Sequence, residues 1–132
     1  MKATIAKRFS FDAAHFLPMV PDGHKCQRMH GHTYEVEFVL RGDVENGFVV
    51  DYSDISAAWA PIHETLDHRV LNDIEGLSEP STENLAYWLF DRIVSDRRPE
   101  LQKLRACLSI VRVHESSSTW CEMSAHDYAS VY

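Results

Sequence analysis

The chain has 132 residues, enough for one hydrophobic core and too few for two, so its motifs are expected to serve one site in a single domain spanning 1–132. A composition of 45% hydrophobic and 25% charged residues excludes a disordered or low-complexity protein. A net charge of −7 excludes a surface built to neutralise nucleic-acid phosphates, so any attraction for an anionic ligand has to be local.

The opening Met1 to Phe9 interrupts its apolar residues with Lys2, Lys7 and Arg8 and so lacks the core of a signal peptide. No later run is long and apolar enough to span a bilayer, and the expectation is a cytoplasmic protein without a membrane partner. Residues 4 to 15 alternate, with Ile5, Phe9, Phe11 and Ala13 on one face and Thr4, Arg8, Ser10 and Asp12 on the other, a half-buried strand on whose apolar side His15 falls. Residues 30 to 41 alternate again: Tyr34, Val36, Phe38 and Leu40 share a face with His30 and His32, while Thr33, Glu35, Glu37 and Arg41 face away.

Asp43 to Gly47 reads as a turn and Phe48 to Val50 as a short extended piece, after which Ser53 is expected to cap a helix. Ile55, Ala58, Trp59, Ile62 and Leu66 keep helical spacing there, with Pro61 inside removing one backbone donor. After a loop from Asn72 to Glu79, Ser81 is expected to cap a second helix carrying Leu85, Ala86, Leu89, Phe90 and Ile93 inward, with Pro99 beyond its end. Residues 106–115 and about 120–128 then read as two strands joined at Ser116 to Ser118. The expected fold is α+β, order ββααββ: a four-stranded antiparallel sheet with two helices on one face. Its two unpaired edges make pairing between subunits the expected remedy.

The stretch Gly23 to His32 concentrates chemistry. His30 and His32 are two apart on a strand and point the same way, and His15 can come alongside, which supplies three nitrogen ligands. Imidazole suits zinc, and three protein ligands with an open fourth position is the arrangement of a catalytic zinc. As satisfied core histidines, two adjacent imidazoles would each need a separate partner, and an unmet donor costs about 1–3 kcal/mol. The rival with a metal is a closed structural site in which Cys26 is the fourth ligand.

Three cysteines, Cys26, Cys107 and Cys121, form no paired motif and are expected to be thiols, with Cys107 a small buried hydrophobe. Cys26 lies in an acid-free window between Lys25 and Arg28, surroundings that favour the thiolate a base or nucleophile requires. Asp67 beside His68 can orient that ring and stabilise its protonated form, completing a Cys, Asp, His proton-handling set. Glu115 ends a strand in phase with Val111 and Val113, so its carboxylate is expected to point inward and to need strong donors. A ring that presents an N–H beside an amino group, as a pterin or guanine does, would supply two; pairing with a nearby arginine is the alternative.

In FDAAH, GHKCQRMHGHTY, LDHRVLNDI, EPSTENLA and the strand ending in His114 and Glu115, the chain resembles the 6-pyruvoyl-tetrahydropterin synthase superfamily over nearly its whole length. Within it, the short Cys-x-x-x-His-Gly-His form is similar to the 6-carboxy-tetrahydropterin synthases of the queuosine pathway; in the pyruvoyl enzymes the cysteine stands farther from the histidines. The resemblance implies a tunnelling fold (T-fold) whose subunits join sheets into a β-barrel within a homohexamer, with sites between subunits. It implies Zn2+ on His15, His30 and His32, catalytic roles for Cys26, Asp67 and His68, and a pterin anchor at Glu115 assisted by Ser81 and Thr82. The implied substrate is 7,8-dihydroneopterin triphosphate, whose phosphates Lys25, Arg28 or Arg69 would meet, and the implied product is 6-carboxy-5,6,7,8-tetrahydropterin.

Overall fold

Two long strands organise the protein, whose structure is a computed structural model describing residues 1–131; residue 132, the end of the expected domain, lies outside the described residues. β1 (Lys2–His15) and β2 (His30–Asp43) pair antiparallel throughout, from Lys2 opposite Asp43 to His15 opposite His30. Side-chain alternation sets their faces: Phe11, Ala13 and His15 are buried together with Tyr34, Val36, Phe38 and Leu40. α1 (Tyr52–Leu66) and α2 (Thr82–Ser95) bring Ile55, Trp59, Leu66, Leu85, Leu89 and Ile93 into the same core, each large apolar side chain contributing about 1.5–3 kcal/mol by leaving water.

Pro61 is inside α1 and cannot donate to the Ala57 carbonyl four residues back. Arg98 replaces the missing donor, its Nη2 lying 3.0 Å from that oxygen, so the helix continues to Leu66. The turn of Asn46 (φ 52°) and Gly47 (φ 89°) sits between the bridged residues Glu45 and Phe48; both central residues have positive φ, as a type I′ turn requires.

Several expectations are corrected. Among the described residues the sheet has five strands, not four: β3 (Arg69–Val70) pairs in parallel with Ala13 and Ala14, β4 (Leu108–His114) lies beside β2, β5 (Trp120–Ser124) beside β4, and the order is β3-β1-β2-β4-β5. Besides the two helices there are two short ones. α3 (Gln102–Cys107) takes the start of the expected 106–115 strand because Leu101, Leu104 and Cys107 are buried at helical spacing. α4 (Ala125–Ala129) replaces the end of the expected 120–128 strand, started by a capping box between Ser124 and Asp127. Asp51, not Ser53, caps α1, accepting the Ser53 N–H at 2.8 Å.

The face of the sheet turned away from α1 and α2 carries a row of alternating charge, with Arg8, Glu37, Arg112 and Glu122 in register across β1, β2, β4 and β5. Glu37 is only 6% exposed there and accepts from Arg8 Nε at 2.7 Å and from Arg112 Nη1. Burial works to raise its pKa, but the two guanidinium hydrogen bonds hold it below the ordinary value.

Candidate functional site

The register of the β1–β2 hairpin assembles the site. His15 ends β1 directly opposite His30, and His32 is two residues further along β2 on the same face, so three imidazoles meet with ring centroids 4.6–5.0 Å apart. Their backs are tied to the main chain. His15 Nδ1 lies 2.9 Å from the Pro80 carbonyl oxygen and His30 Nδ1 lies 2.7 Å from that of Arg28. A carbonyl oxygen only accepts, so each Nδ1 carries a proton and each Nε2 is left turned toward the other rings.

Those two Nε2 atoms are 3.0 Å apart. At that distance the pair either shares a proton or, with both nitrogens bare, is relieved of lone-pair repulsion by a cation beside both. His32 Nε2 is buried and without a hydrogen-bond partner, although Glu115 Oε1 is 3.0 Å away. Burial lowers the pKa of both His15 and His32, outweighing the Glu115 carboxylate that raises it, so the rings are neutral at pH 7, as ligation requires. His15, His30, His32 and Glu115 each offer an atom within 4.8 Å of the others, and this group could hold a metal ion.

Glu115 points inward as expected, but its partners are not arginines. Oε2 accepts from Thr82 Oγ1 at 3.0 Å, while Oε1 lies 3.0 Å from His32 Nε2 and 3.3 Å from His15 Nε2. Ser81 does not share in this, because its hydroxyl accepts the Asn84 N–H and caps α2. Lys25, Cys26, Arg28, His30, His32 and Glu115 line one cavity of about 720 Å³. Cys26 lies on its wall outside the converging group, and its N–H donates to His24 Nδ1 at 3.0 Å; the closed site with Cys26 as fourth ligand is therefore not formed.

Asp67 and His68 follow the end of α1. Together with Arg69, His68 lines a cavity of about 520 Å³ that includes Asp12, Gly31 and Thr33 and shares His32 with the cavity lined by Cys26. The pair itself is well held: His68 Nδ1 donates to Asp67 Oδ2 at 2.8 Å, Asp67 Oδ1 accepts the Asp12 N–H at 3.0 Å, and the His68 N–H donates to the Asp12 carbonyl at 2.6 Å. His68 takes up this position with φ at 57°, in the left-handed region. The hydrogen bond to Asp67 and its charge raise the His68 pKa above the ordinary imidazole value.

Sequence reasoning missed the atoms that orient the rings. Tyr34 Oη stands 3.1 Å from His15 Nδ1, and burial raises its own pKa well above the ordinary phenol value. Its position two residues after His32 on the same strand face was the available signal. The Pro80 and Arg28 carbonyls carry no such signal, since any residue supplies one.

The 6-pyruvoyl tetrahydropterin synthase family profile matches residues 4–126. A dihydroneopterin monophosphate aldolase of Pyrococcus furiosus is 39% identical over 93 residues, covering 70% of this chain and 76% of that protein. A 6-carboxy-5,6,7,8-tetrahydropterin synthase of Synechocystis is 37% identical over 118 residues, covering 82% and 90% respectively. The solved structure of the Caenorhabditis elegans 6-pyruvoyl tetrahydropterin synthase superposes with a TM-score of 0.83 at 26% identity, over 95% of this chain and 96% of that one. With the helix-backed sheet and the imidazole cluster in place, these matches mean that the chain belongs to the 6-pyruvoyl tetrahydropterin synthase family of pterin-metabolising enzymes.

Proposed function

We propose that this chain, as one catalytic domain over 1–132, is a zinc-dependent carbon–carbon lyase. It converts 7,8-dihydroneopterin triphosphate and water to 6-carboxy-5,6,7,8-tetrahydropterin, acetaldehyde and triphosphate, in cytoplasmic queuosine biosynthesis. The observation that carries the proposal is the convergence of three imidazoles and Glu115 beside a cavity that Cys26 also lines. The relatives named 6-carboxy-5,6,7,8-tetrahydropterin synthase support the choice of reaction.

His15, His30 and His32 would hold the zinc, which when bound supplies Lewis acidity toward the hydroxyls of the substrate side chain. Glu115, steadied by Thr82, accepts the ring N–H and amino group in two parallel charge-assisted hydrogen bonds; Ser81 starts the helix turn that presents Thr82. Cys26 takes a proton from the carbon next to the ring, and Lys25 and Arg28, on the same cavity wall, meet the triphosphate. Asp67 orients His68 and favours its protonated form, from which a proton can be returned. His68 and the thiol line adjoining cavities that share His32, and in the proposed homohexamer, with sites between subunits, a second copy completes the set.

Incubation of zinc-loaded protein with dihydroneopterin triphosphate should release acetaldehyde and triphosphate together; triphosphate without acetaldehyde would instead identify the pyruvoyl reaction. The Pyrococcus furiosus relative favours a second reading, a retro-aldol cleavage of dihydroneopterin monophosphate at the same side-chain bond. Glycolaldehyde phosphate formed from the monophosphate, with no turnover of the triphosphate, would select it.

A further inference from the structure

We infer that His24 is the positioning residue of the Cys26 thiol, its imidazole supplying the acceptor that fixes the backbone from which the thiol projects. The inference rests on the reading of Cys26 as the proton-moving thiol proposed above. Cys26 sits on neither a strand nor a long helix. It is the middle residue of a short 3₁₀ turn, Lys25–Gln27, in the loop between β1 and β2, and its side chain is half-buried on the cavity wall. Two hydrogen bonds hold its backbone instead: the carbonyl accepts the Leu17 N–H at 2.7 Å, and the N–H donates to His24 Nδ1 at 3.0 Å.

The first N–H groups of such a turn find no acceptor within it, and the residue just before the turn meets one of them when its side chain carries a suitable atom. Asparagine and aspartate do this with Oδ1. His24 holds that position with an extended backbone, φ −65° and ψ 136°, and does it with Nδ1, which stands the same number of bonds from Cα. The ring acts here as an asparagine would, through a bare Nδ1 with the proton on Nε2.

The rest of the loop is closed without this ring. The Gln27 side chain accepts the Gly23 N–H at 3.1 Å and donates to the Val20 carbonyl and to Asp22 Oδ1, each at 3.3 Å. The backbone adds bonds from His24 to Pro21, Gln27 to His24 and Arg28 to Lys25 at 3.0–3.1 Å. Removing the imidazole therefore frees one N–H, that of Cys26, and leaves the loop in place. His15 and His30 are tied through the Pro80 and Arg28 carbonyls, so their orientation does not pass through His24. Proton transfer depends on the direction and reach of the thiol, whereas substrate binding depends on the cavity wall as a whole, so the loss should fall on kcat.

The test compares zinc-loaded wild type, His24→Ala, His24→Asn and Cys26→Ala. It reads hydrogen exchange at the Cys26 amide, kcat and KM for acetaldehyde release from dihydroneopterin triphosphate, zinc content and Tm. A lost cap acceptor shifts an equilibrium by about fivefold, so His24→Ala should exchange its Cys26 amide about fivefold faster and lose about fivefold in kcat. KM should stay within about twofold, zinc content should hold, and Tm should fall by no more than about 4 °C. His24→Asn returns an oxygen to the place of Nδ1 and should recover exchange and kcat to within about twofold of wild type, which a side chain that merely filled space would not do. His24→Gln, whose acceptor lies one bond farther out, replaces His24→Ala if that variant does not fold. Wild-type exchange or wild-type kcat in His24→Ala, or a His24→Asn no better than His24→Ala, overturns the inference and leaves the catalytic thiol standing. Full turnover in Cys26→Ala, or none in wild type, overturns the reading of the thiol and the inference with it.

Discussion

Gly42 lies in β2 opposite Ala3, and a methyl group there would meet one atom before any other. A Cβ built on it stands 2.5 Å from Cys107 Sγ, against 3.6 Å from Val49 Cγ1 and 3.7 Å from Cys107 Cβ. Favourable contacts lie near 3.5–4.0 Å, so the strand or the thiol has to move by roughly 1 Å in close-packed surroundings. Overpacking of this kind costs about 1–3 kcal/mol, and alanine returns about 0.4–1 kcal/mol by restricting the unfolded chain. Gly42→Ala should therefore lose about 1–2 kcal/mol, which at about 3–4 °C per kcal/mol for 132 residues lowers Tm by about 3–8 °C. In a Cys107→Ala background the clashing sulfur is gone and the remaining contacts are ordinary, so the same substitution should be neutral or slightly stabilising. Thermal melts of the four proteins at one concentration measure the coupling. An equal cost of Gly42→Ala in both backgrounds would refute the claim that the sulfur is the obstacle.

Glu37→Gln removes the charge and one of the two accepting oxygens, so one guanidinium hydrogen bond is lost and the other loses its anionic acceptor; about 2 kcal/mol is expected in urea melts at pH 7, less than for a fully buried pair because water reaches Arg8. Since Glu37 is held below its ordinary value of 4.5, its stabilisation is present above that pH and lost as pH falls through the lower folded value, so wild type and variant should converge in acid. Any one of His15→Ala, His30→Ala or His32→Ala should sharply reduce zinc content by elemental analysis, whereas Cys26→Ala should keep metal and fold and lose turnover. Asp67→Asn should lower the His68 pKa toward 6.5 in an NMR titration; the stability the pair supplies is present below 6.5 and lost as pH rises through the raised folded value.

Strand phase made most of the site legible. With a period of two, placing Tyr34 and Val36 inside forces His30 and His32 inside as well, and the same holds for His15 after Phe11 and Ala13. The short elements escaped because too few residues carry their pattern: β3 is two residues long, and it joins the sheet only through the backbone of Ala13 and Ala14. Cys107 reads equally well in a strand or at the end of a helix, and only the buried Leu101 and Leu104 behind it decide. Likewise Asp67 and His68 were identifiable as a pair, but their place depends on which side of the hairpin the 66–70 segment joins, a long-range contact with no local signature.

The directly opposed His15 and His30 have a consequence for how the chain assembles. They are the first rung of the β1–β2 ladder, and residues 16–29 must be closed into a loop before that rung forms. Asn46 and Gly47 form a tight turn that nucleates itself; this hairpin has no such aid, and its closure entropy has to be met by contacts such as the Leu17 N–H to the Cys26 carbonyl and the two hydrogen bonds between Asn72 and the Phe16 backbone. A cation shared by His15 and His30 is then a clip across the neck of that loop. If the proposed metal binds there, its loading and completion of the longest ladder in the sheet are coupled, and amide protons near Leu17 and His30 should exchange more slowly once metal is added.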